Sequence, residues 1–189
     1  MTFSSSHSAS PVTWVLFAGL PGTGKSTLAK ALAGRLNAAI LDKDVVRQSL
    51  FPGSLTDFTA EQDQLCIRAM LEAARYLTDR HRANYIFFDG RTFSRRVQIE
   101  EVLAAAEEAG ARWRILHLVC EDAEAESRLA VIDPTHPAKN RDPNLYRRIR
   151  QHFEPIAQPR LQIDTTAGIE GRLNDAQVYI LSSEEAAAR

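Results

Sequence analysis

The chain has 189 residues, of which 44% are hydrophobic and 25% charged, and its formal net charge is −1. This composition is typical of a soluble globular protein, and the near-neutral charge argues against broad, non-specific binding of nucleic acid. No stretch is apolar enough to cross a membrane, and the two cysteines, Cys66 and Cys120, lack zinc-ligand spacing. We therefore expect one cytoplasmic domain over residues 12–181, with a disordered lead-in over 1–11 and a flexible tail over 182–189.

Short apolar runs alternate along the chain with amphipathic helical patterns. Five runs are predicted as strands, at 12–18, 38–41, 84–90, 112–120 and 160–165. Helices are predicted at 25–36, 44–50, from 60 onward, from 95 onward, 123–131, 145–156 and 169–180. This alternation predicts an α/β fold, a parallel sheet with helices on both faces, in which ligands bind beyond the carboxyl ends of the strands.

Local signals predict how several of these elements begin and pack. Thr59 and Gln62 have the spacing of a capping box at the start of a long helix, and Ser94 is the expected cap of the next one. Arg112, Arg114 and His117 belong to the predicted fourth strand, where they are expected at an edge or a strand end. The apolar stripe of the long helix should face the core, and comprises Cys66, Ala69, Met70, Ala73 and Leu77.

A glycine-rich segment follows the first strand and matches GxxxxGK[ST] at every fixed position. Glycines let backbone N–H groups face phosphate oxygens, and the start of the next helix adds partial positive charge. Lys25 is expected to reach the β- and γ-phosphates of a nucleoside triphosphate, Ser26 to ligate Mg²⁺, and Thr27 to contact the α-phosphate. The predicted nucleotide-binding residues are Gly19, Leu20, Pro21, Gly22, Thr23, Gly24, Lys25, Ser26 and Thr27.

An acid at the end of the third strand indicates which reaction the nucleotide serves. Asp89 follows four apolar or aromatic residues, which is a position from which a carboxylate reaches Mg²⁺. The glutamate that hydrolytic ATPases often carry next to this acid is replaced by Gly90. The sequence also lacks a guanine-selecting NKxD-like segment, and its length leaves no room for the helical lid domain of a typical AAA+ machine. These features favour phosphoryl transfer to a substrate other than water.

The segment "ILDKDVVRQSL" carries two acids and an arginine behind the second strand. Asp44 and Arg47 are three residues apart and therefore neighbours on one helical face. The pair is equally compatible with a helix start carrying a surface ion pair and with an acceptor site, where Asp44 takes a proton and Arg47 binds a phosphate. Beyond the third strand, Arg91 and Thr92 are expected on the acceptor side.

The motifs "GLPGTGKST", "DKDVVRQSL" and "IFFDGRT" together resemble the small P-loop kinases grouped with polynucleotide 5′-hydroxyl kinases, chloramphenicol phosphotransferase and zeta toxins. The resemblance extends over about residues 12–165. It implies a three-layer fold with a five-stranded parallel sheet in which the third strand lies beside the first, bringing Asp89 next to Ser26. It also implies that Asp44 is the general base and that Arg47 contacts substrate phosphate, with Asp42 left as the helix cap.

The same resemblance implies a short lid that closes an arginine over the triphosphate. The segment "IDPTHPAKNRDPN" has the right position, so the lid is expected at about residues 132–144. Arg141 is its only arginine, and Arg128 on the preceding helix is a second candidate, there as a nucleotide contact. Arg95 and Arg96 lie at a helix start, where the dipole disfavours cations, so an anionic ligand there is also considered.

These observations predict an ATP- and Mg²⁺-dependent kinase that transfers the γ-phosphate to a hydroxyl of a small molecule or nucleotide. A polynucleotide 5′ end is an alternative acceptor, suggested by the resemblance but opposed by the lack of an aromatic stacking platform. A nucleotide-binding switch without acceptor chemistry is a further alternative. The sequence does not indicate an oligomeric state, and no membrane partner is expected.

Overall fold

A computed structural model of the chain describes residues 10–131 and 142–182. Five strands alternate with seven α-helices in these two ranges. In chain order the elements are β1 (Thr13–Ala18), α1 (Lys25–Leu36), β2 (Ala39–Asp42), α2 (Lys43–Leu50), α3 (Ala60–Asp79), β3 (Tyr85–Asp89), α4 (Arg96–Glu108), β4 (Arg112–Val119), α5 (Asp122–Ala130), α6 (Pro143–Arg150), β5 (Leu161–Asp164) and α7 (Leu173–Leu181). None of the helices in these ranges is long and apolar enough to span a membrane.

The five strands form one parallel sheet in the order β2-β3-β1-β4-β5. The predicted α/β fold is confirmed, including the neighbouring position of β1 and β3. The register pairs Asp42 with Asp89 at the carboxyl ends of β2 and β3. Because parallel strands end at the same edge of the sheet, these acids lie beside the loop that follows β1.

Side chains that alternate along the strands fill two separate cores. Trp14 and Phe88 point toward α3 and α4, and their ring centroids are 5.2 Å apart. Phe17 and Phe87 point toward α1 and α7, with centroids 5.1 Å apart. Strands that are buried on both faces are expected to be almost continuously apolar, which is how β1 and β3 read in the sequence.

Two helix starts agree with the predicted caps, and one does not. Asp42 caps α2, because its Oδ1 accepts from the backbone N–H groups of Asp44 (2.8 Å) and Val45 (3.4 Å). Thr59 caps α3 through the N–H of Gln62 at 3.2 Å. The prediction that Ser94 caps α4 is wrong, since Arg95 occupies the N-cap position and α4 begins at Arg96.

Gln62 does not complete the predicted capping box. Its side-chain Nε2 donates to the carbonyl of Leu55 at 2.7 Å, and its Oε1 accepts from the N–H of Asp57 at 3.1 Å. The carboxylate of Asp57 instead accepts from the N–H of Thr59 at 2.9 Å. Gln62 therefore ties the segment before α3 to the helix itself.

Arg114 lies in the part of β4 that pairs with β1 alone, because among the described residues β5 pairs only with the segment from Leu116 to Val119, so its expected edge position agrees with the register. The position is nevertheless buried. Arg114 is 5% exposed. Its guanidinium donates to the carbonyls of Tyr179 (3.3 Å) and Ser182 (2.7 Å), at the end of α7. A helix end has unpaired carbonyl groups, and this arginine satisfies two of them in a buried position.

Candidate active site

The loop between β1 and α1 has a backbone that requires glycine. Gly19, Gly22 and Gly24 have φ angles of 138°, 81° and 84°. A Cβ on Gly19 would lie 2.2 Å from the carbonyl oxygen of Leu118, and one on Gly22 would lie 2.8 Å from that of Ala125. Both the left-handed backbone and the close approach of β4 and α5 therefore exclude larger residues at these positions.

The polar side chains of this loop bond to the loop itself. Lys25 Nζ donates to the carbonyls of Gly19 (2.9 Å) and Leu20 (2.8 Å). The Thr23 hydroxyl donates to the carbonyl of Leu20 at 2.8 Å. Pro21 is buried, whereas Thr27 is exposed in the first turn of α1. The ammonium group of Lys25 thus lies over the loop, where the phosphate oxygens of a bound nucleotide can replace the carbonyl oxygens as its acceptors.

Asp89 lies next to Ser26, as expected for a magnesium site. The carboxyl group is buried, which raises its pKa, while a hydrogen bond from the Ser26 hydroxyl lowers it. Within the described residues Asp89 Oδ1 has no hydrogen-bond partner. A buried carboxylate oxygen without a donor is costly unless a cation binds it. Ser26 and Asp89 together fit the way Mg²⁺ is bound in P-loop proteins, through one hydroxyl, one carboxylate, water and phosphate oxygens.

Arg128 connects the glycine-rich loop to the end of β5. Its Nη1 lies 3.3 Å from the carbonyl of Gly22, and its Nη2 donates to the carbonyl of Thr165 at 2.7 Å. Its Nε donates to Glu124 at 2.7 Å. Further contacts reach the Thr165 hydroxyl and the carbonyl of Thr166. The guanidinium is therefore bonded to protein oxygens along all its sides, and its predicted contact with the nucleotide stays a prediction.

Asp44 and Arg47 lie together, and two further charged residues surround them. Asp44 Oδ1 is 3.4 Å from Arg47 Nη1 and 3.8 Å from Lys43 Nζ. Asp63 of α3 accepts from Lys43 Nζ at 3.1 Å and pairs with Arg47 Nη2. Two acids and two cations thus alternate in one cluster, and we call Lys43, Asp44, Arg47 and Asp63 the acceptor-side quartet.

Burial changes the proton affinity of two members of the quartet. It raises the pKa of the Asp44 carboxyl, against the opposing effects of Lys43 and Arg47. It lowers the pKa of the Lys43 ammonium to about 8, although the Asp44 charge opposes this change. Perturbed groups that are close together in a cleft are typical of sites that move protons or bind charged ligands.

Arg91 lies in the loop after β3 and is also buried, with 7% of its surface exposed. Its Nη1 donates to Glu101 Oε2 of α4 at 3.2 Å, and Gln64 of α3 donates to Glu101 Oε1. Thr92 accepts the backbone N–H of Gly19 at 3.0 Å through its carbonyl. The loop after β3 therefore connects the quartet's surroundings with the glycine-rich loop.

Gly90 lets the ends of β2 and β3 approach each other. Its φ is 77°, and a Cβ there would lie 2.6 Å from Asp42 Oδ1 and 2.8 Å from the backbone nitrogen of Lys43. A side chain at this position would collide with the N-cap of α2, the helix that carries Asp44 and Arg47. This explains why a glycine follows Asp89.

The anionic partner considered for the start of α4 is supplied by the chain itself. The N–H of Arg96 donates to Glu154 Oε2 at 2.7 Å, and Arg95 Nη1 lies 3.9 Å from Glu154 Oε1. The N–H of Glu154 in turn donates to the carbonyl of Ser94. The hypothesis of a ligand at this helix start is therefore wrong, because a carboxylate from the segment after α6 occupies the place.

The lid prediction lies mostly outside the described residues. Arg141 belongs to residues 132–141, which are not part of the description, while Asp142 caps α6 by accepting from the N–H of Leu145. Sequence reasoning missed Lys43, Asp63, Gln64 and Glu101. Lys43 was adjacent to a candidate acid, but the other three lie on α3 and α4, and only the tertiary structure brings them to the site.

The chain matches a known protein-family model over most of its length. The AAA_33 family model, described as an AAA domain, matches residues 15–156. A search of curated proteins finds no match.

Solved structures share the fold at low sequence identity. A candidate kinase of Chloroflexus aurantiacus has a TM-score of 0.72 and 18% identity, covering 95% of this chain and 100% of that one. The APS kinase of Mycobacterium tuberculosis in complex with AMPPNP and APS has a TM-score of 0.68 and 18% identity, covering 92% and 100%. A gluconokinase of Sinorhizobium meliloti has a TM-score of 0.59 and 12% identity, covering 90% of each chain. At these identities the likeness shows the fold alone.

Proposed function

The chain belongs to the AAA_33 family, and we propose that it is a kinase that transfers the γ-phosphate of ATP to a hydroxyl group of a small molecule. The observation that carries this proposal is the acceptor-side quartet. Three of its members lie on α2, the helix after β2, and Asp63 lies on α3, at the same sheet edge as the glycine-rich loop and the Ser26–Asp89 pair. A protein that only binds or hydrolyses ATP has no need of two buried cations paired with partly buried acids at this second position.

The glycine-rich loop and Lys25 would bind the triphosphate, with Ser26 and Asp89 binding Mg²⁺. The ion neutralises charge on the phosphate oxygens when it is bound. Asp44 would orient the acceptor hydroxyl and take its proton, and Arg47 would fix the substrate beside it. Since phosphoryl transfer passes through a loose transition state, positioning and charge contribute more than proton removal.

The acceptor is proposed to be a small molecule because three features support it. The net charge of the chain is −1, which gives little general attraction for nucleic acid. APS kinase and gluconokinase, which share the fold, are named for small acceptors. The order Asp44, Arg47, Gln48, Ser49 still resembles polynucleotide 5′-hydroxyl kinases, so an oligonucleotide belongs among the acceptors to be tested.

The test is a transfer screen with [γ-³²P]ATP and Mg²⁺ over nucleosides, oligonucleotides, sugars and antibiotics. We expect transfer to one small-molecule class, and a loss of about 100-fold in kcat for Asp44→Asn. Asp79→Asn, at the exposed end of α3, is the matched control and should behave like the parent. Below the raised pKa of Asp44, kcat/KM should fall as the pH falls, and this limb should disappear in Asp44→Asn.

Two results would redirect the assignment. Normal ATP binding without transfer to any acceptor would indicate a nucleotide-binding switch. Transfer to oligonucleotides alone, with a strong dependence on salt, would indicate a polynucleotide kinase.

A further inference from the structure

Two neighbouring residues near the start of α3 reach the buried cations of the acceptor side. Asp63 contacts Lys43 and Arg47 directly. Gln64 donates to Glu101, which in turn pairs with Arg91. One turn of α3 is thus connected to all three buried cations, Lys43, Arg47 and Arg91. The helix α3 carries none of the predicted catalytic residues.

Each of the two buried arginines is supported in the same way. The guanidinium carbon of Arg47 lies 5.2 Å from the ring centroid of Phe58, and that of Arg91 lies 6.0 Å from the ring of Phe93. Phe58 and Phe93 have φ angles of 55° and 51°. A bulky residue with positive φ is a genuine outlier whose backbone is strained, and such strain is concentrated at functional sites.

The arginines also keep a donor unused. Within the described residues, Arg47 Nε and Arg91 Nε are buried and have no hydrogen-bond partner, and Arg47 Nη2 contacts Asp63 as an ion pair without hydrogen-bond geometry. If these ion pairs served stability alone, a hydrogen-bond partner for each Nε–H group would make the fold more stable. The acid and the aromatic ring beside each guanidinium therefore fix its position, although the Nε–H donor of each arginine stays without an acceptor in the described part of the chain.

We propose that Asp63 is a positioning residue of the acceptor site. By pairing with Lys43 and Arg47, it keeps these two cations from pairing fully with Asp44. Gln64 has a weaker role of the same kind, because it holds Glu101, the partner of Arg91. This inference rests on the proposed kinase function. It also explains the segment before α3, which places Phe58 against Arg47 and leads into the helix turn that carries Asp63.

The competition for Asp44 explains why a second acid is needed. The contacts of Lys43 and Arg47 with Asp44 both use Oδ1, at 3.8 and 3.4 Å. Both cations are buried, and a buried cation without a partner is strongly destabilising. If Asp63 lost its charge, both would be drawn to Asp44, whose carboxylate would then be less available to an acceptor hydroxyl.

The first measurement compares Asp63→Asn with Glu61→Gln, an exposed acid two residues earlier on α3. The assay uses [γ-³²P]ATP and whichever compound of the screen accepts most phosphate. Asp63→Asn should lower kcat by about 10- to 100-fold and leave KM for ATP within about twofold, because only the acceptor side is disturbed. Asp63→Glu should restore part of the rate, and Gln64→Leu should lose less than Asp63→Asn.

The second measurement does not need an acceptor. The Lys43 ammonium is titrated by ¹⁵N NMR in the parent and in both variants. Asp63→Asn should lower the pKa of Lys43, since the ammonium loses the carboxylate 3.1 Å away and must share the carboxylate of Asp44 with Arg47, and Glu61→Gln should not change it. The other ionisable groups that act on Lys43 remain present in both variants, and they are Asp44, Arg47, Arg91 and Cys66.

The two measurements separate the possible failures. An unchanged Lys43 titration in a folded Asp63→Asn protein overturns the positioning role, whatever the reaction is. A lowered pKa with equal losses of kcat in Asp63→Asn and Glu61→Gln overturns it as well. If no acceptor is phosphorylated, the kinase assignment fails and the titration decides alone. If Asp63→Asn does not fold, Asp63→Ser is measured in its place.

Discussion

The nucleotide side and the acceptor side of the candidate site differ in how they are built. The nucleotide side consists of a contiguous loop, residues 19–27, in which backbone groups and glycine conformations provide the binding surface, and of Asp89 at the end of β3. The acceptor side is assembled from side chains on α2, α3, α4 and the loop after β3. A site that binds through backbone groups can be predicted from a run of consecutive residues. A site that binds through side chains depends on how elements that are distant in the sequence pack together.

The two sides also differ in how they accommodate buried charge. On the acceptor side every buried cation has an acid within contact distance, so that burial is offset by pairing. On the nucleotide side Asp89 Oδ1 has no donor among the described residues, and the site is suited to an added cation. We therefore expect the acceptor side, whose charges are paired, to be stable without its ligand. We expect the nucleotide side, which has an unpaired acid, to be stabilised when a cation binds.

The largest effect is expected for Lys25→Ala on the nucleotide side. The ammonium bonds to the carbonyls of Gly19 and Leu20, from which it can turn to the phosphates. Its removal should reduce phosphoryl transfer by about 1,000-fold, more than Asp44→Asn, because it neutralises charge in the transition state. Single-turnover transfer from [γ-³²P]ATP measures the loss.

Lys30→Ala is the matched control for this change, since Lys30 is exposed on the same helix. It should retain the parent rate. Equal ATP turnover in Lys25→Ala and the parent would contradict the whole assignment of the nucleotide side.

The next effect is expected for Gly90→Ala, which tests the contact between the two sides. The new Cβ would meet Asp42 Oδ1 at 2.6 Å, at a φ of 77°. We expect a loss of about 3 kcal/mol in the free energy of unfolding, from the left-handed backbone and the disturbed cap of α2. Urea unfolding followed by circular dichroism measures it.

Gly110→Ala separates the backbone cost from the collision. Gly110 has a φ of 67°, and a Cβ there would have nothing within 4 Å. Its loss should be about 1 kcal/mol. If both variants lost the same amount, the close approach of the two strand ends would have no energetic importance.

The difference in construction explains what the sequence could predict. The glycine-rich loop, the cap role of Asp42 and the nearness of Asp44 to Arg47 all depend on short-range patterns. The position of β3 beside β1 follows only from the family resemblance. Asp63 and Glu101 are separated from Arg47 and Arg91 by a helix or a loop, so spacing gives no indication that they pair. Glu154 at the start of α4 was missed for the same reason.

A smaller effect is expected for Arg128→Met, which tests whether the nucleotide side depends on distant support. The guanidinium bonds to the carbonyls of Gly22 and Thr165. Its loss should lower the free energy of unfolding by about 2 kcal/mol and raise the Kd for ATP, because both carbonyls lose their donor. Thermal unfolding with and without ATP measures both changes.

Arg147→Met is the control for Arg128→Met. Arg147 forms a two-bond pair with Glu126 on the surface, and exposed pairs contribute little to stability. A similar loss in both variants would mean that Arg128 is an ordinary surface arginine.

The smallest effect concerns His117, which shows a second way to bury an ionisable group. It lies opposite Ala18 in the sheet, and its ring stacks on Phe153 at 5.7 Å. Burial, followed by the charges of Arg160 and Lys25, lowers its pKa from 6.5 to about 4. The folded protein therefore keeps the imidazole neutral where the unfolded chain is protonated, so stability should fall as the pH falls from about 6.5 to about 4.

His117→Leu should lose less stability than the parent over this pH window, and His152→Gln, at an exposed position, should follow the parent. Urea unfolding at both ends of the window measures the difference. Parallel curves for His117→Leu and the parent would show that the imidazole is not kept neutral. A flatter curve would mean that the folded protein keeps the half-buried imidazole uncharged, whereas each buried cation of the acceptor side keeps its charge and is paired with an acid.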